Sequence, residues 1–114
     1  MARIIDVPAY VAKVHLSVMK DRVLSEADLE FDFRKWATMG LETYAPLGKG
    51  RANQRLAESI FSKIEEEGKT AIKLENAEYD TLKAASEAMD WLPAANRKFG
   101  PFYEALEKAQ EVTL

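Results

Sequence analysis

The stretch AYVAKVHLSVMKDRV, residues 9–23, fits two kinds of secondary structure, and the fold class depends on which of them forms. Val11, Val14 and Val18 follow helical spacing, and a proline just before the segment suits the first turn of a helix. Val14, Leu16 and Val18 also alternate with polar residues, as in a half-buried strand. The length of the segment and the preceding proline favour the helix. We therefore predict a helix here and keep the strand as the alternative.

The segment that follows predicts an amphipathic helix over residues 25–41. Ser25 is a favourable N-cap, and the acidic residues after it lie in the first turn, where the helix dipole favours negative charge. Apolar side chains then recur along one face at helical spacing. This stripe consists of Leu29, Phe33, Trp36, Ala37 and Leu41.

The rest of the chain predicts more helices and little sheet. A proline and two glycines make residues 45–50 a loop. Apolar periodicity predicts further helices. Two short alternating runs predict two strands that pair with each other as a minimal β element. The last few residues are expected to fray. The helices cover residues 51–67, 77–90, a turn at 93–99 and a last helix from Gly100–Pro101; the strands cover 3–7 and 70–75. The predicted fold is mainly α, with four to five packed helices and a short two-stranded β element in a single domain, residues 1–114.

Composition narrows the classes of function. The chain has 114 residues, no cysteine and a formal net charge of −3. Without cysteine there is no disulfide, thiolate nucleophile or cysteine-ligated metal. The acidic balance argues against extensive nucleic-acid binding, which needs a basic surplus. No apolar stretch is long enough for a signal peptide or a membrane span, so we expect a cytoplasmic protein that does not bind membranes.

The motifs that could carry chemistry are incomplete. Residues 48–51, Gly-Lys-Gly-Arg, precede a helix but lack the hydroxyl and the upstream glycine of a phosphate-binding loop. Asp28, Glu30 and Asp32 have the first spacings of a calcium loop but not its later glycine and glutamate. His15 is the only histidine, too few for a zinc site or a catalytic triad. We predict no catalytic residue, metal or cofactor; an enzyme whose carboxylates are brought together only by the fold is the third interpretation.

Aromatic residues provide the candidate protein-binding face. Aromatic side chains at helical spacing are usually core, but tryptophan and tyrosine are also favoured in interfaces. We predict that Phe31, Trp36 and Trp91 present an apolar helix face to a partner protein.

A second candidate surface is basic. Lys49, Arg51 and Arg55 precede or begin the helix at 51–67, where they could contact an anion or nucleic acid, with Lys63 further along the same helix. This pattern supports the alternative function of a small regulatory nucleic-acid-binding helical module. Affinity that falls steeply with salt would be its signature.

Three stretches resemble a known class of protein. They are RIIDVP at residues 3–8, LEFDFRK at 29–35, and LENAEYDTLK at 74–83 followed by Trp91. Together they resemble small accessory proteins encoded among the structural genes of tailed bacteriophages, some of which are similar to tail-assembly chaperones. The resemblance implies a non-enzymatic protein whose partners are virion or tail-assembly proteins or further copies of itself. It would then act in the cytoplasm of a bacterial host, and it implies no catalytic residues.

Overall fold

A computed structural model of the protein describes most of the chain. The backbone is described for residues 2–20, 23–66, 70–89, 91 and 93–112, and the side chains for these residues except 15–29 and 94. The predicted final residues of two helices, 67 and 90, and residues 21–22 of the ambiguous segment lie outside the described residues.

Strands and helices alternate irregularly along the described chain. The order is β1 (Ala2–Asp6), β2 (Ala12–Lys20), β3 (Val23–Phe31), α1 (Phe33–Glu42), a 3-10 turn (Ala45–Gly48), α2 (Gly50–Ile64), β4 (Ala71–Glu75), α3 (Asn76–Glu87), α4 (Pro93–Asn96), a second 3-10 turn (Arg97–Phe99), α5 (Gly100–Glu107) and β5 (Gln110–Val112).

The fold is mixed α/β, so the prediction of a mainly α protein with a minor two-stranded element is wrong. Two antiparallel sheets are present: a three-stranded sheet with the order β4–β1–β5, and the hairpin β2–β3. Each hairpin strand has nine residues. Most of the unexpected β structure therefore comes from residues that the sequence had assigned to helices.

The hairpin replaces both the predicted helix over residues 9–23 and the first part of the helix predicted from Ser25. Ser25 lies in β3, directly opposite Val18 of β2. Alternation prevailed over helical spacing because the following segment supplies a cross-strand neighbour for every β2 residue. Such pairs stabilise β-branched side chains, whose rotamers a helix restricts.

The N-cap of helix α1 is Asp32, seven residues after the predicted N-cap Ser25, and the helix begins at Phe33. The Asp32 backbone is extended, and its side chain accepts a hydrogen bond of 2.7 Å from the backbone N–H of Lys35. This is the N-cap geometry that satisfies one of the free amides of a first helical turn. The capping function assigned to Ser25 therefore belongs to Asp32.

Replacing Asp32 by alanine is expected to lower the free energy of unfolding by about 1 kcal/mol, because one amide of the first turn loses its acceptor. Ser25→Ala is the matched control and should change stability by less than about 0.5 kcal/mol. Urea denaturation of both variants measures the difference. A larger loss for Ser25→Ala than for Asp32→Ala would contradict the observed start of α1.

The three-stranded sheet has β1 at its centre. Ile5 lies opposite Ile72 of β4, which confirms the predicted pairing of the runs at 3–7 and 70–75 with bounds shifted by one residue. On the other side, Ile4 lies opposite Gln110 of β5. The expectation that the last residues fray is wrong for Gln110–Val112, because the open edge of β1 gives them a hydrogen-bonding partner.

The helices predicted at 51–67, at 77–90 and from Gly100–Pro101 are present as α2, α3 and α5 and cover this sheet, but α2 and α3 end three residues early, at Ile64 and Glu87. The loop predicted over 45–50 contains a 3-10 turn and the first residue of α2. Helices α2 and α3 pack against β4, α3 and α5 against β1, and α1 against α2 and α3. Their apolar stripes and the base of the hairpin form one core. Its largest fully buried side chains are Trp36, Phe31, Phe33, Phe99, Phe102, Ile5, Leu41, Ile60, Ile64, Leu74 and Leu82.

Candidate functional site

The aromatic residues predicted to bind a partner are brought together, but inside the molecule. Phe31 is fully buried and Trp36 is only 1% exposed, while Trp91 is half-buried. All three surround Phe99, with ring centroids 5.5, 6.2 and 4.7 Å from it for Phe31, Trp36 and Trp91. The prediction that Phe31 and Trp36 present a face to a partner is therefore wrong: both are core residues, as aromatics at helical spacing usually are.

The predicted basic residues lie on the surface at the start of α2. Lys49, Arg51 and Arg55 are all exposed, and Arg51 Nη1 donates to Gln54 Oε1 at 2.6 Å. Lys63, the fourth member of the predicted stripe, instead donates to a Glu78 carboxylate oxygen at 2.5 Å. The exposed basic residues of this set therefore lie at one end of the helix. The hypothesis of nucleic-acid binding is weakened, because the charge of Lys63 is paired with Glu78.

The most strongly perturbed carboxyl group is Glu78, at the start of α3. Its side chain accepts hydrogen bonds from Ser59 Oγ at 2.6 Å, from Lys63, and from the Glu75 backbone N–H at 2.9 Å. Burial alone raises the pKa of Glu78, but these hydrogen bonds and the charge of Lys63 outweigh it and lower the pKa below the usual 4.5. A carboxylate held ionised in this way, with its oxygens occupied, is a poor proton acceptor and joins α2 to α3.

A second perturbed group is Tyr103 of α5. Burial, followed by the nearby charge of Glu87, raises the pKa of its hydroxyl. The hydroxyl donates to Asn96 Oδ1 at 2.7 Å. Tyr103 therefore remains protonated at neutral pH, and its hydrogen bond to Asn96 joins α5 to α4.

An open groove of about 290 Å³ lies between the end of α1, the first 3-10 turn and α2. Its apolar lining includes Leu41, Tyr44, Leu47 and Phe61. The Thr43 hydroxyl beside it already donates within α1, to the Met39 carbonyl at 2.9 Å. The described lining thus offers shape and apolar surface without a nucleophile paired to a base.

The hairpin β2–β3 lies where the sequence predicted helices. Its strand register places Val14 opposite Leu29 and Leu16 opposite Ala27. The same alternate positions of the register hold Ala12 opposite Phe31 and Val18 opposite Ser25. Most of the residues at these positions are apolar, and this set of positions is here called the apolar face of the hairpin. The signal for it was present in the alternation of residues 14–18.

The base of this apolar face is buried. Ala12 and Phe31 are fully buried and Val14 is 4% exposed, all within the core. The strands are about 30 Å long. The molecule measures 50 × 33 × 24 Å, and its radius of gyration of 15.0 Å exceeds the ~13 Å of a compact chain of this length. A ribbon of this length is long enough to account for the elongation.

The intervening positions of the hairpin hold polar residues in three pairs and then an apolar pair, Met19 opposite Leu24. Lys13 lies opposite Glu30, His15 opposite Asp28, and Ser17 opposite Glu26. Lys13 Nζ and Glu30 Oε1 are 4.0 Å apart, and both side chains are well exposed. Such an exposed ion pair adds little stability, so both side chains remain available to water or to a charged partner.

Neither a metal centre nor a membrane segment emerges from the part of the chain that the structure describes. There, no group of three or more histidine, aspartate or glutamate side chains could hold a metal ion. No described helix combines the length and apolar character needed to cross a bilayer. No family model, curated protein or solved structure matches the chain. Functional inference therefore depends on the geometry itself.

Proposed function

We propose that this chain is a non-enzymatic assembly protein that binds other proteins through the β2–β3 hairpin. The observation that carries the proposal is the strand register of the hairpin, in which most of the alternate positions that include the buried Val14 hold apolar residues. A two-stranded ribbon has no second layer of its own to cover such a face.

The energetics favour burial of this face by a partner. Leu16 and Val18 occupy the alternate positions that continue from the buried Val14, and each apolar side chain that a partner removes from water contributes about 1.5–3 kcal/mol. Large apolar patches on the surface of a folded protein commonly mark interaction sites. Extended strands also bind partners through backbone hydrogen bonds along an open edge, with the side chains providing specificity.

The resemblance to accessory proteins of tailed bacteriophages narrows the proposal. Its three stretches fall in β1, across the junction of β3 and α1, and over β4 and α3. These elements build the body of the fold, so the resemblance concerns the scaffold and the hairpin would provide the contact. On this basis the partners are virion or tail-assembly proteins, met in the cytoplasm of a bacterial host.

The test is binding to the products of neighbouring genes, co-expressed one at a time with this chain. In the variant Leu16→Asp/Val18→Asp, charges enter the apolar face of β2, and we expect binding to weaken by about 100-fold or more, since two buried side chains are lost. In the matched control Ser17→Asp/Met19→Asp, the same charges enter the opposite face. This control should bind nearly as well as the unmodified protein.

Thermal unfolding of the isolated variants separates binding from folding. Both variants should keep the unfolding temperature of the unmodified protein within a few degrees, because the proposal assigns residues 16–19 to the contact with the partner and not to the core. Equal binding by all three proteins, or equal loss in both variants, would reject the apolar face of the hairpin as the binding surface.

A further inference from the structure

Residues 7–11, which link β1 to β2, hold the most exposed large apolar side chains of the described chain. Tyr10 is 39% exposed and Val11 is 44% exposed, and no other large aliphatic or aromatic side chain that the structure describes is as accessible. Both line an open groove of about 260 Å³, which Asp32 and Arg34 near the start of α1 also line. Single apolar residues are ordinary on a protein surface, but two that share one concave site indicate a contact with a partner.

A second open groove, of about 230 Å³, adjoins the first, because Pro8 lines both. It lies between the end of β1 and α5, and its charged residues are Asp6, Glu104 and Lys108. Lys108 Nζ and Glu104 Oε2 are 3.9 Å apart, so these two charges offset each other. Asp6 is exposed and forms no ion pair with a described residue. The second groove therefore has a net negative charge that a cation of a ligand would neutralise.

The backbone along these grooves has unpaired groups. The Val7 N–H donates to the Thr70 carbonyl at 2.8 Å, which extends the pairing of β1 with β4 by one residue. Successive N–H groups of a strand point to opposite sides, so the Asp6 N–H points away from β4. On that side β5 pairs only with residues 2–4 of β1. Residues 8–10 make no backbone hydrogen bond to any described residue, so the linker is open to pairing with another chain.

From these observations we infer a second binding site, separate from the apolar face of the hairpin and independent of the function proposed for it. Residues 6–11 bind an extended segment of a partner protein in which a lysine or arginine precedes or follows a large apolar residue. The cation of the segment contacts Asp6, and its apolar side chain covers Tyr10 and Val11. Asp6 and Tyr10 are separated by about 13 Å of extended chain, so the two ligand residues are about four positions apart.

An extended segment fits this site better than a small molecule does. Each groove is smaller than the about 300–1,000 Å³ of a typical small-molecule site, but two adjoining grooves suit successive side chains of one strand. The ring of Tyr10 is already positioned by an edge-to-face contact with Phe102, at a centroid distance of 5.6 Å, so little side-chain entropy is lost on binding.

The other charges beside the apolar groove are engaged within the protein, which leaves Asp6 to select the charge of the ligand. Asp32 caps α1, and Arg34 Nε donates to the Ile64 carbonyl at 2.8 Å. A segment that carries a cation is therefore favoured over a neutral or acidic one, and its affinity falls as salt screens the exposed carboxylate.

Selection from an mRNA-displayed library of short random-sequence peptides on the whole protein, at low salt, tests this inference. We expect the enriched sequences to share a lysine or arginine about four positions from a large apolar residue. One enriched peptide, synthesised with a fluorophore, then serves as the probe in anisotropy titrations. Replacing its cation by glutamate should weaken binding by about tenfold, since an attraction becomes a repulsion.

Two variants of the protein locate the bound peptide. Tyr10→Ala/Val11→Ala removes the exposed apolar side chains and should weaken binding by about tenfold or more. Asp6→Asn removes one exposed charge, so it should weaken binding by about two- to fivefold and make it less sensitive to salt. The matched control Asp80→Asn removes the same charge from an exposed position of α3 and should bind as the unmodified protein does.

An exchange of charge separates a direct contact from a change of fold. Asp6→Lys should bind the glutamate form of the peptide more tightly than the unmodified protein does. The inference is overturned if no peptide is enriched, if the enriched peptides lack a cation, or if binding is indifferent to the substitutions at Asp6. Thermal unfolding shows whether Tyr10→Ala/Val11→Ala is folded, and if it is not, the Asp6 variants decide.

The variant Leu16→Asp/Val18→Asp distinguishes this site from the hairpin. If it loses the peptide as well as the co-expressed partner, the peptide binds the apolar face of the hairpin, so the second site is rejected and the proposed function stands. If it keeps the peptide and binding still depends on Asp6, the second site is supported, whether or not the hairpin binds a partner.

Discussion

Replacing Trp36 by alanine is expected to lower the free energy of unfolding by about 3–5 kcal/mol, because its ring leaves a cavity at the centre of the core. Trp36 is 1% exposed, and its ring centroid lies 5.4 Å from that of Phe102 and 5.1 Å from that of Tyr103. A domain of this size has a total stability of about 5–15 kcal/mol. The unfolding temperature of the isolated protein should therefore fall by about 15 °C or more.

Two substitutions serve as controls for this loss. Trp36→Phe keeps an aromatic ring and removes a buried Nε1 that has no hydrogen-bond partner among the described residues, so it should cost much less than alanine. Tyr10→Ala removes a ring that also contacts Phe102 but is 39% exposed, and it should cost about 1 kcal/mol. If Trp36→Ala leaves the unfolding temperature unchanged and only weakens binding to a partner, Trp36 is an interface residue and not a core residue.

The helices predicted correctly have patterns that only a helix satisfies. Along α2, Leu56, Ile60 and Ile64 recur every four residues, and no alternating pattern competes with them. Residues 9–23 differ because Val14 and Val18 satisfy helical spacing and strand alternation at once. The pairing of β3 with β2 decides between helix and strand here. This pairing depends on two segments, so neither segment predicts it alone.

The prediction of a helix start at Ser25 was wrong for a similar reason. Ser25 with its acidic successors is a good helix start taken alone, but the cross-strand pairs of β3 outweigh a cap, which contributes about 1 kcal/mol. The strand at Gln110–Val112 is too short to show a period, and it forms because β1 offers an open edge. Both errors come from long-range pairing that a local window does not contain.

The candidate site was predicted less well than the helices. The sequence grouped Phe31, Trp36 and Trp91 correctly in space, and the rings of Phe31 and Trp91 are 5.7 Å apart. The sequence could not assign the burial of these side chains, because burial depends on which elements cover them. In the structure, α4, the following 3-10 turn and α5 cover this cluster, with Phe99 and Phe102 in contact with it. The hairpin, in turn, can be identified as a candidate site only once β2 and β3 are recognised as strands.

Replacing Glu78 by alanine is expected to lower the free energy of unfolding at neutral pH by about 2–3 kcal/mol, because Ser59, Lys63 and the Glu75 N–H lose a shared buried acceptor. The Glu78 side chain is 4% exposed, whereas that of Lys63 is 36% exposed and regains water when the partner is removed. Glu78→Gln keeps an acceptor and loses only the charge, so it should cost about 1 kcal/mol.

The pH dependence of this cost follows from the lowered pKa of Glu78. In the unfolded chain the carboxyl group titrates near its usual 4.5, and in the folded protein below it. The stabilisation from the ionised carboxylate is therefore complete above pH 4.5 and is lost as the pH falls through the pKa of the folded state. Urea denaturation of the unmodified protein and of Glu78→Gln should give a stability difference that is largest at neutral pH and shrinks on acidification.

An exposed glutamate of α2 supplies the matched control. Glu58→Gln removes the same charge from a position that is open to solvent, and it should leave the free energy of unfolding within about 0.5 kcal/mol of the unmodified value. A Glu78→Gln difference that stays constant or grows as the pH falls would mean that Lys63 and Ser59 do not hold the carboxylate in its charged form. The contact between α2 and α3 would then depend on the apolar side chains around it, such as Ile60 and Leu82.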